Sequence, residues 1–312
     1  MRLLTSSLTM KNNKFTRRDF LRSSSSALAL AALTPAAFSK EAKKRELKKA
    51  VMLATVGFPG SVLEKFKAIK EAGFAGVEPM SHMDAKEVLQ ARDETGLQIP
   101  SVCCGTHWKE NLASPNPAER ERGLAGLKQS LQDAKKYGAT SVLFVPATVN
   151  KEISYADAYI RSQAELRKAI PVAEDLGVKI AIENVWNNFL LSPLEMARYL
   201  DELQSPFVGA HFDIGNVLRY GWPEQWIDVL GKRILKLHIK EYSREKMQTA
   251  GLWKGFEVQY LEGSNDWPKI IKALDEIGYN GWGIAEPAYP NPAADAAGLK
   301  NISERLDKIF AS

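Results

Sequence analysis

The chain has 312 residues, 45% of them apolar, with 42 lysines and arginines against 37 acids. Six of those basic residues and one acid, Asp19, fall in positions 1–39, so the remainder carries 36 of each; a neutral body gives no reason to expect nucleic acid as a partner. The two cysteines are the neighbours Cys103 and Cys104, whose Cα atoms must lie about 3.8 Å apart, too close for ordinary disulfide geometry.

In chain order, residues 1–39 read as an export leader. Thr16, Arg17, Arg18, Asp19, Phe20, Leu21 and Arg22 precede a serine run, an apolar stretch over 27–33 and small residues near Ser39. Basic, apolar and cleavable regions in that order make a signal peptide, and the paired arginines ahead of Phe20 and Leu21 point to the twin-arginine route and the periplasm. The apolar stretch is far shorter than the ~20 residues of a membrane span, so no stable insertion is expected after cleavage. An uncleaved amphipathic anchor is the alternative. The leader holds no cysteine, which excludes a lipid anchor there.

Residues 40–49 read as a linker and 50–312 as one domain. Eight short apolar runs, at 50–54, 76–78, 99–104, 141–145, 179–183, 208–213, 234–239 and 282–286, alternate with longer segments of helical spacing. Leu63, Phe66 and Ile69 show that spacing, as do Leu194, Met196, Leu200 and Leu203. Gly73, Gly96, Gly138, Gly177 and Gly278 mark helix ends, while Ser192 and Pro193 mark a start. Cys103 and Cys104 fall on the third run, as buried free thiols. Residues 243–262 are longer than a usual strand-to-helix loop and read as a lid or an active-site insertion. Eight such units predict a (β/α)8 TIM barrel in a single α/β domain. The competing doubly wound sheet would call for a glycine-rich phosphate loop after the first strand, and none is present.

In such barrels the chemistry lies at the C-terminal strand ends, and here four consecutive strands end on Glu183, Asp213, His238 and Glu286. Strands about 4.8 Å apart allow these side chains to converge on one ion. Three inward carboxylates repel each other unless a cation joins them. A mixed oxygen and nitrogen set suits Mn²⁺, Mg²⁺, Co²⁺ or Fe²⁺, with Zn²⁺ also admissible. A salt-bridge cluster with lysines or arginines is the bland alternative.

Around the quartet, strand parity turns His211 and Lys240 inward. His211 is a candidate for support or substrate contact, and Lys240 for polarising a carbonyl or neutralising a carboxylate. His107 and Glu78, at the ends of strands three and two, are candidates for binding substrate hydroxyls, with a structural role the alternative for His107 and a structural ion pair the favoured alternative for Glu78. Trp108, Trp186 and Trp253 are candidates for stacking on sugar faces, with plain core packing the alternative. Arg219 and Arg244 are loop arginines that either grip an anion or stay solvated.

The segments Ala181-Ile182-Glu183-Asn184, His211-Phe212-Asp213-Ile214-Gly215-Asn216 and Leu237-His238-Ile239-Lys240 resemble the xylose-isomerase-like TIM barrels described as sugar phosphate isomerases and epimerases. The likeness continues from Trp267 through Ile277-Gly278-Tyr279-Asn280-Gly281-Trp282 to Glu286, and covers about residues 50–310. It implies that Glu183, Asp213, His238 and Glu286 hold one divalent metal and that Glu183 and Glu286 also move the proton. A second histidine that ketose 3-epimerases carry on strand six is matched by Asn216, a departure at the expected substrate contacts. Dimers and tetramers are common in the family. Endonuclease IV shares the fold but uses a histidine-rich trinuclear site, which the four histidines here do not supply.

The function expected is metal-dependent isomerisation or epimerisation through an enediolate. Because phosphorylated sugars are mainly cytoplasmic, export favours an unphosphorylated sugar or keto-sugar. A lyase or dehydratase using the same enediolate, for example on 3-keto-glycosides or keto-acids, is the alternative. A non-catalytic sugar-binding protein is the third reading, and the complete quartet argues against it.

Overall fold

A computed structural model describes residues 45–288 and 293–312, so the expected leader and the start of the linker lie outside the described residues. The strands are β1 (Leu47–Met52), β2 (Gly76–Glu78), β3 (Val102–Cys103), β4 (Ser141–Phe144), β5 (Lys179–Glu183), β6 (Val208–Asp213), β7 (Ile234–Ile239) and β8 (Gly281–Ala285). Between and after them come α1 (Val62–Glu71), α2 (Ala85–Thr95), α3 (Pro117–Tyr137), α4 (Tyr155–Leu176), α5 (Pro193–Glu202), the short α6 (Ile214–Val217), α7 (Pro223–Leu230), α8 (Arg244–Ala250), α9 (Trp267–Glu276) and α10 (Ala296–Phe310).

All ladders are parallel, in the order β2-β1-β8-β7-β6-β5-β4-β3, so the first strand pairs with the last. The remaining seam, β2 to β3, is closed by two isolated parallel bridges, Gly76 with Gln98 and Met80 with Cys103. This is the expected TIM barrel, a ring of strands inside a ring of helices.

Local chemistry explains the elements. In α9, Trp267, Ile270, Ile271 and Leu274 recur at helical spacing and are all buried. Burying each such side chain contributes about 1.5–3 kcal/mol. The Ser192 hydroxyl accepts from the Glu195 amide to cap α5, with Pro193 in the first turn. Gly138 (φ +82°) and Gly177 (φ +67°) end α3 and α4 in the left-handed conformation that a Cβ disfavours.

Three boundaries differ from expectation. β1 starts inside the expected linker, because its first half, with Lys48 exposed and Lys49 bonded to Asp307 at 2.7 Å, is too polar to read as a core strand. β3 shrinks to two residues because Pro100 has no amide proton for the ladder. β8 ends at Ala285, although the Glu286 amide still donates to the Ile239 carbonyl at 3.0 Å.

The interior beneath the C-terminal mouth is polar. Ser101, Ser141, His211 and Glu78 are fully buried there, and the Lys236 ammonium donates to Thr140 Oγ1 at 2.9 Å. Among the described residues no helix is long and apolar enough to cross a membrane.

Candidate active site

β5, β6, β7 and the residue after β8 bring Glu183, Asp213, His238 and Glu286 together. The register pairs Glu183 with His211 and Asp213 with His238, so Asp213 lies level with His238 and two residues beyond the partner of Glu183 on β6. One ligand atom from each of the four lies within 4.8 Å of the others.

The backbone around Asp213 is clamped. The Asn184 amide donates to the Asp213 carbonyl and accepts from its N–H, both at 2.8 Å. Asp213 Oδ1 caps α6 by accepting from the Asn216 amide at 2.8 Å, which leaves Oδ2 facing the centre. The Asn216 side chain donates to the Asn184 carbonyl at 3.0 Å, and Trp186 Nε1 donates to the Asn216 carbonyl at 2.8 Å. Gly215 is required here by space: a Cβ on it would come within 2.7 Å of Lys240 Cβ.

Lys240 reaches Asp213 Oδ2 at 2.8 Å and Glu286 Oε2 at 2.7 Å. These are ion-pair approaches, yet neither oxygen has a partner aligned for a hydrogen bond. His238 Nδ1 lies 3.0 Å from Glu183 Oε1 and 2.8 Å from Glu286 Oε2, while Nε2 lies 2.9 Å from Glu78 Oε2. Both ring nitrogens therefore face carboxylates.

The titrations follow from this crowding. Burial pushes Glu183 up to about 7, against the pull of His238. Burial also raises Asp213 to about 6, with Lys240 opposing. For Glu286 burial acts upward too, but Lys240 and His238 outweigh it and hold the carboxyl below the usual range. Burial would lower His238, and the carboxylates of Glu78, Glu286 and Glu183 reverse it, raising it well above an ordinary histidine. Lys240 is raised in the same way by Asp213, Glu286 and Glu183 against burial.

This donor set fits a divalent ion. With His238 neutral, the buried carboxylates of Glu183 and Asp213 and the partly buried one of Glu286 leave two negative charges against the Lys240 ammonium, the amount that such an ion neutralises. Within the quartet, Asp213 Oδ2 and Glu286 Oε2 are buried oxygens without aligned donors, as ligand atoms would be. Carboxylate oxygens with one imidazole suit Mn²⁺, Mg²⁺, Co²⁺, Fe²⁺ or Zn²⁺.

Above the quartet lies a cavity of about 360 Å³ whose walls include His107, Trp108, Asn216 and Lys240. Trp186, Trp253 and Phe256 form one side, with ring centroids 5.0 and 4.8 Å from Trp186. Trp108 and Trp253 are 61% and 68% exposed, so their faces remain available at the rim. Burial lowers His107 to about 4, and its Nδ1 accepts from the Val145 amide at 3.3 Å. A larger hollow of about 580 Å³ opens at the other end of the barrel, but its walls carry Lys179, Lys232 and Lys236 with no acid.

Residues 243–262, the long segment read as a lid or an active-site insertion, carry α8 and the turn Leu252–Phe256, and Trp253 and Phe256 of that turn line the cavity. The Ser243 amide donates to the Gly255 carbonyl at 2.7 Å, and Tyr242 Oη donates to the Leu252 carbonyl at 2.8 Å. Glu241 ties the far end of the lid by accepting from the Leu261 amide, Asn265 Nδ2 and Trp267 Nε1.

For three residues the structure favours one of two readings. Glu78, read as a substrate contact or a structural ion pair, is fully buried and pairs with His238 on its far side. His211 is also fully buried, its ring 4.2 Å from that of His238, and does not line the cavity. Arg244 grips no anion: its guanidinium donates to the carbonyls of Leu218 and Gly221 and lies over Trp222. Arg219 is exposed, 5.1 Å above Trp186. Asn184, Glu241, Phe256 and Cys103 were not singled out for the site. Cys103 faces the cavity, but burial and nearby carboxylates raise its thiol well above the usual range.

The family model of the xylose isomerase-like TIM barrel matches residues 66–308. L-ribulose-5-phosphate 3-epimerase UlaE of Salmonella paratyphi A is 25% identical over 264 residues, covering 79% of this chain and 90% of that protein. The solved structure of 3-keto-D-glucoside 4-epimerase YcjR from E. coli superposes with a TM-score of 0.71 at 19% identity, covering 86% of this chain and 100% of that one. The IOLI protein with a bound zinc atom gives 0.71 at 15% identity, covering 85% and 98%. At those identities the two structures bear on the fold alone, whereas the family match spans most of the chain. The chain belongs to the xylose isomerase-like TIM barrel family.

Proposed function

We propose that the protein is a divalent-metal-dependent epimerase or isomerase of an unphosphorylated sugar or keto-sugar, acting in the periplasm. The observation that carries this reading is the convergence of Glu183, ending β5, and Glu286, following β8, on one nitrogen of His238, with β6 and β7 between them in the ring. Two carboxylates so placed suit proton removal from a carbon beside a carbonyl and its return to the other face of the planar enediolate. An ion held by Glu183, Asp213, His238 and Glu286 would supply Lewis acidity, polarising the carbonyl and stabilising negative charge on oxygen.

The chain's own groups define the remainder. Lys240 offsets the charge of Asp213 and Glu286. Trp108, Trp186, Trp253 and Phe256 offer flat apolar faces of the kind that pack against the C–H side of a sugar ring and exclude water. The named relatives act on sugars: a ribulose phosphate in one case, a keto-glucoside in another.

The leader supports export, and export favours a substrate without phosphate. Among the described cavity residues the lysine is already held by two carboxylates, which also favours an uncharged sugar. The exposed guanidinium of Arg219 beside Trp186 favours a second reading, a phosphorylated ketose.

The test is turnover in deuterated water with NMR readout on free ketoses, 3-keto-glycosides and phosphorylated ketoses. Deuterium entering one carbon of a free sugar, with an epimer or isomer as product, is expected. Activity confined to phosphorylated ketoses overturns the substrate class. Release of an aglycone or of water, in place of a rearranged sugar, identifies a lyase instead.

A further inference from the structure

We propose that Glu78 is a positioning residue for the metal centre, fixing which nitrogen His238 turns toward the quartet. The proposal rests on the reading of Glu183, Asp213, His238 and Glu286 as metal ligands.

Glu78 ends β2, across the barrel from β7, and is fully buried. Its Oε2 lies 2.9 Å from His238 Nε2, and its Oε1 has no hydrogen-bond partner among the described residues. A carboxylate accepts only, so His238 donates its Nε2–H to Glu78. The opposite ring nitrogen, Nδ1, faces the oxygens of Glu183 and Glu286. An imidazole that binds an ion through one nitrogen needs its proton on the other. A carboxylate behind that second nitrogen orients the ring and makes the ligating nitrogen more basic. Glu78 stands at that place, and its burial leaves it no contact with a substrate in the mouth cavity.

His211 is the other fully buried neighbour of His238, with neither ring nitrogen bonded. Glu78, His211 and His238 also bring ligand atoms within 4.8 Å of one another. A second ion there would need the His238 nitrogen that Glu78 already occupies, so one ion per chain is expected.

The experiment combines metal affinity with histidine NMR. Wild type, Glu78→Gln and Glu78→Ala are titrated with Zn²⁺ against a competing chelator, and ¹⁵N-histidine spectra are recorded on the loaded proteins, in which only four histidines contribute. The expected result is one ion in the wild type, with His238 ligating through Nδ1 and keeping its Nε2–H. Glu78→Ala should lose about 10- to 100-fold in affinity. Glu78→Gln, which keeps an acceptor for the Nε2–H, should lose less and retain the tautomer.

Ligation through Nε2, two ions per chain, or wild-type affinity in both variants overturns the proposal while leaving the quartet intact. A wild type that binds no divalent ion overturns the metal reading itself and this proposal with it. Should Glu78→Ala fail to fold, the wild-type spectrum and the isosteric Glu78→Gln still decide the matter.

Discussion

At the scale of single residues, Glu183 and His107 make opposite use of burial. Glu183 is raised to about 7 by burial and lies among the quartet, so a side chain that cannot exchange a proton disables it. Glu183→Gln should reduce turnover by at least the 10²–10⁴ typical of a lost acid or base, read as deuterium exchange in the deuterated-water assay. His107 is buried neutral, at about 4 against 6.5 when unfolded. Below pH 6.5 the unfolded chain takes up a proton that the folded chain refuses. Its contribution is therefore complete above pH 6.5 and is lost as pH falls toward 4, by roughly 3 kcal/mol. His107→Gln should flatten that part of the stability profile, measured by urea unfolding at pH 7 and 4.5. The quartet was legible in the sequence because polar residues end apolar strands at the functional end of a barrel. The partner of Glu78 was not, since it lies 160 positions away and across the barrel interior. Nor was the pairing of Lys240, because parity gives the face of a strand and not the group met there.

At the scale of elements, the lid is held to the barrel by main-chain and aromatic contacts around Tyr242. A Cβ on Gly255 would lie 2.3 Å from the Tyr242 ring, so the lid turn can dock only with glycine there. Trp253 rides on that turn with most of its surface exposed, which leaves little folding energy invested in it. Trp253→Ala should therefore raise KM about 3- to 10-fold, the worth of one stacking contact, while the Tm stays within about 1 °C of wild type. A Tm loss with unchanged KM would assign the ring to packing. The lid was legible as an overlong loop, but Phe256 was not, because only its fold-back against Trp186 brings it to the cavity. Strand boundaries erred where a proline removed a ladder donor or where a lysine escaped to an outer acid, as with Pro100 and Lys49.

At the scale of the whole molecule, the unbalanced charge at the mouth couples metal to stability. An ion at 100 times its Kd contributes about 2.7 kcal/mol, which in a domain of this size raises the Tm by roughly 5–10 °C. Chelator treatment should lower the melting temperature of wild type by that amount. Export is tested separately: replacing Arg17 and Arg18 by lysine should retain the protein in the cytoplasm, and unchanged export would exclude the twin-arginine route. The ladder from β1 to β8 carries a further consequence, for biosynthesis. Its partners are Leu47–Met52 and Gly281–Ala285, and the fourth ligand, Glu286, follows directly. A nascent chain still lacking its last βα unit has neither a closed ring nor a complete ligand set. Ring closure is thus an event of the finished chain and, on the proposed metal reading, so is ion capture; the proposed leader, read only after folding, would pass on barrels that have had the opportunity to select their ion inside the cell.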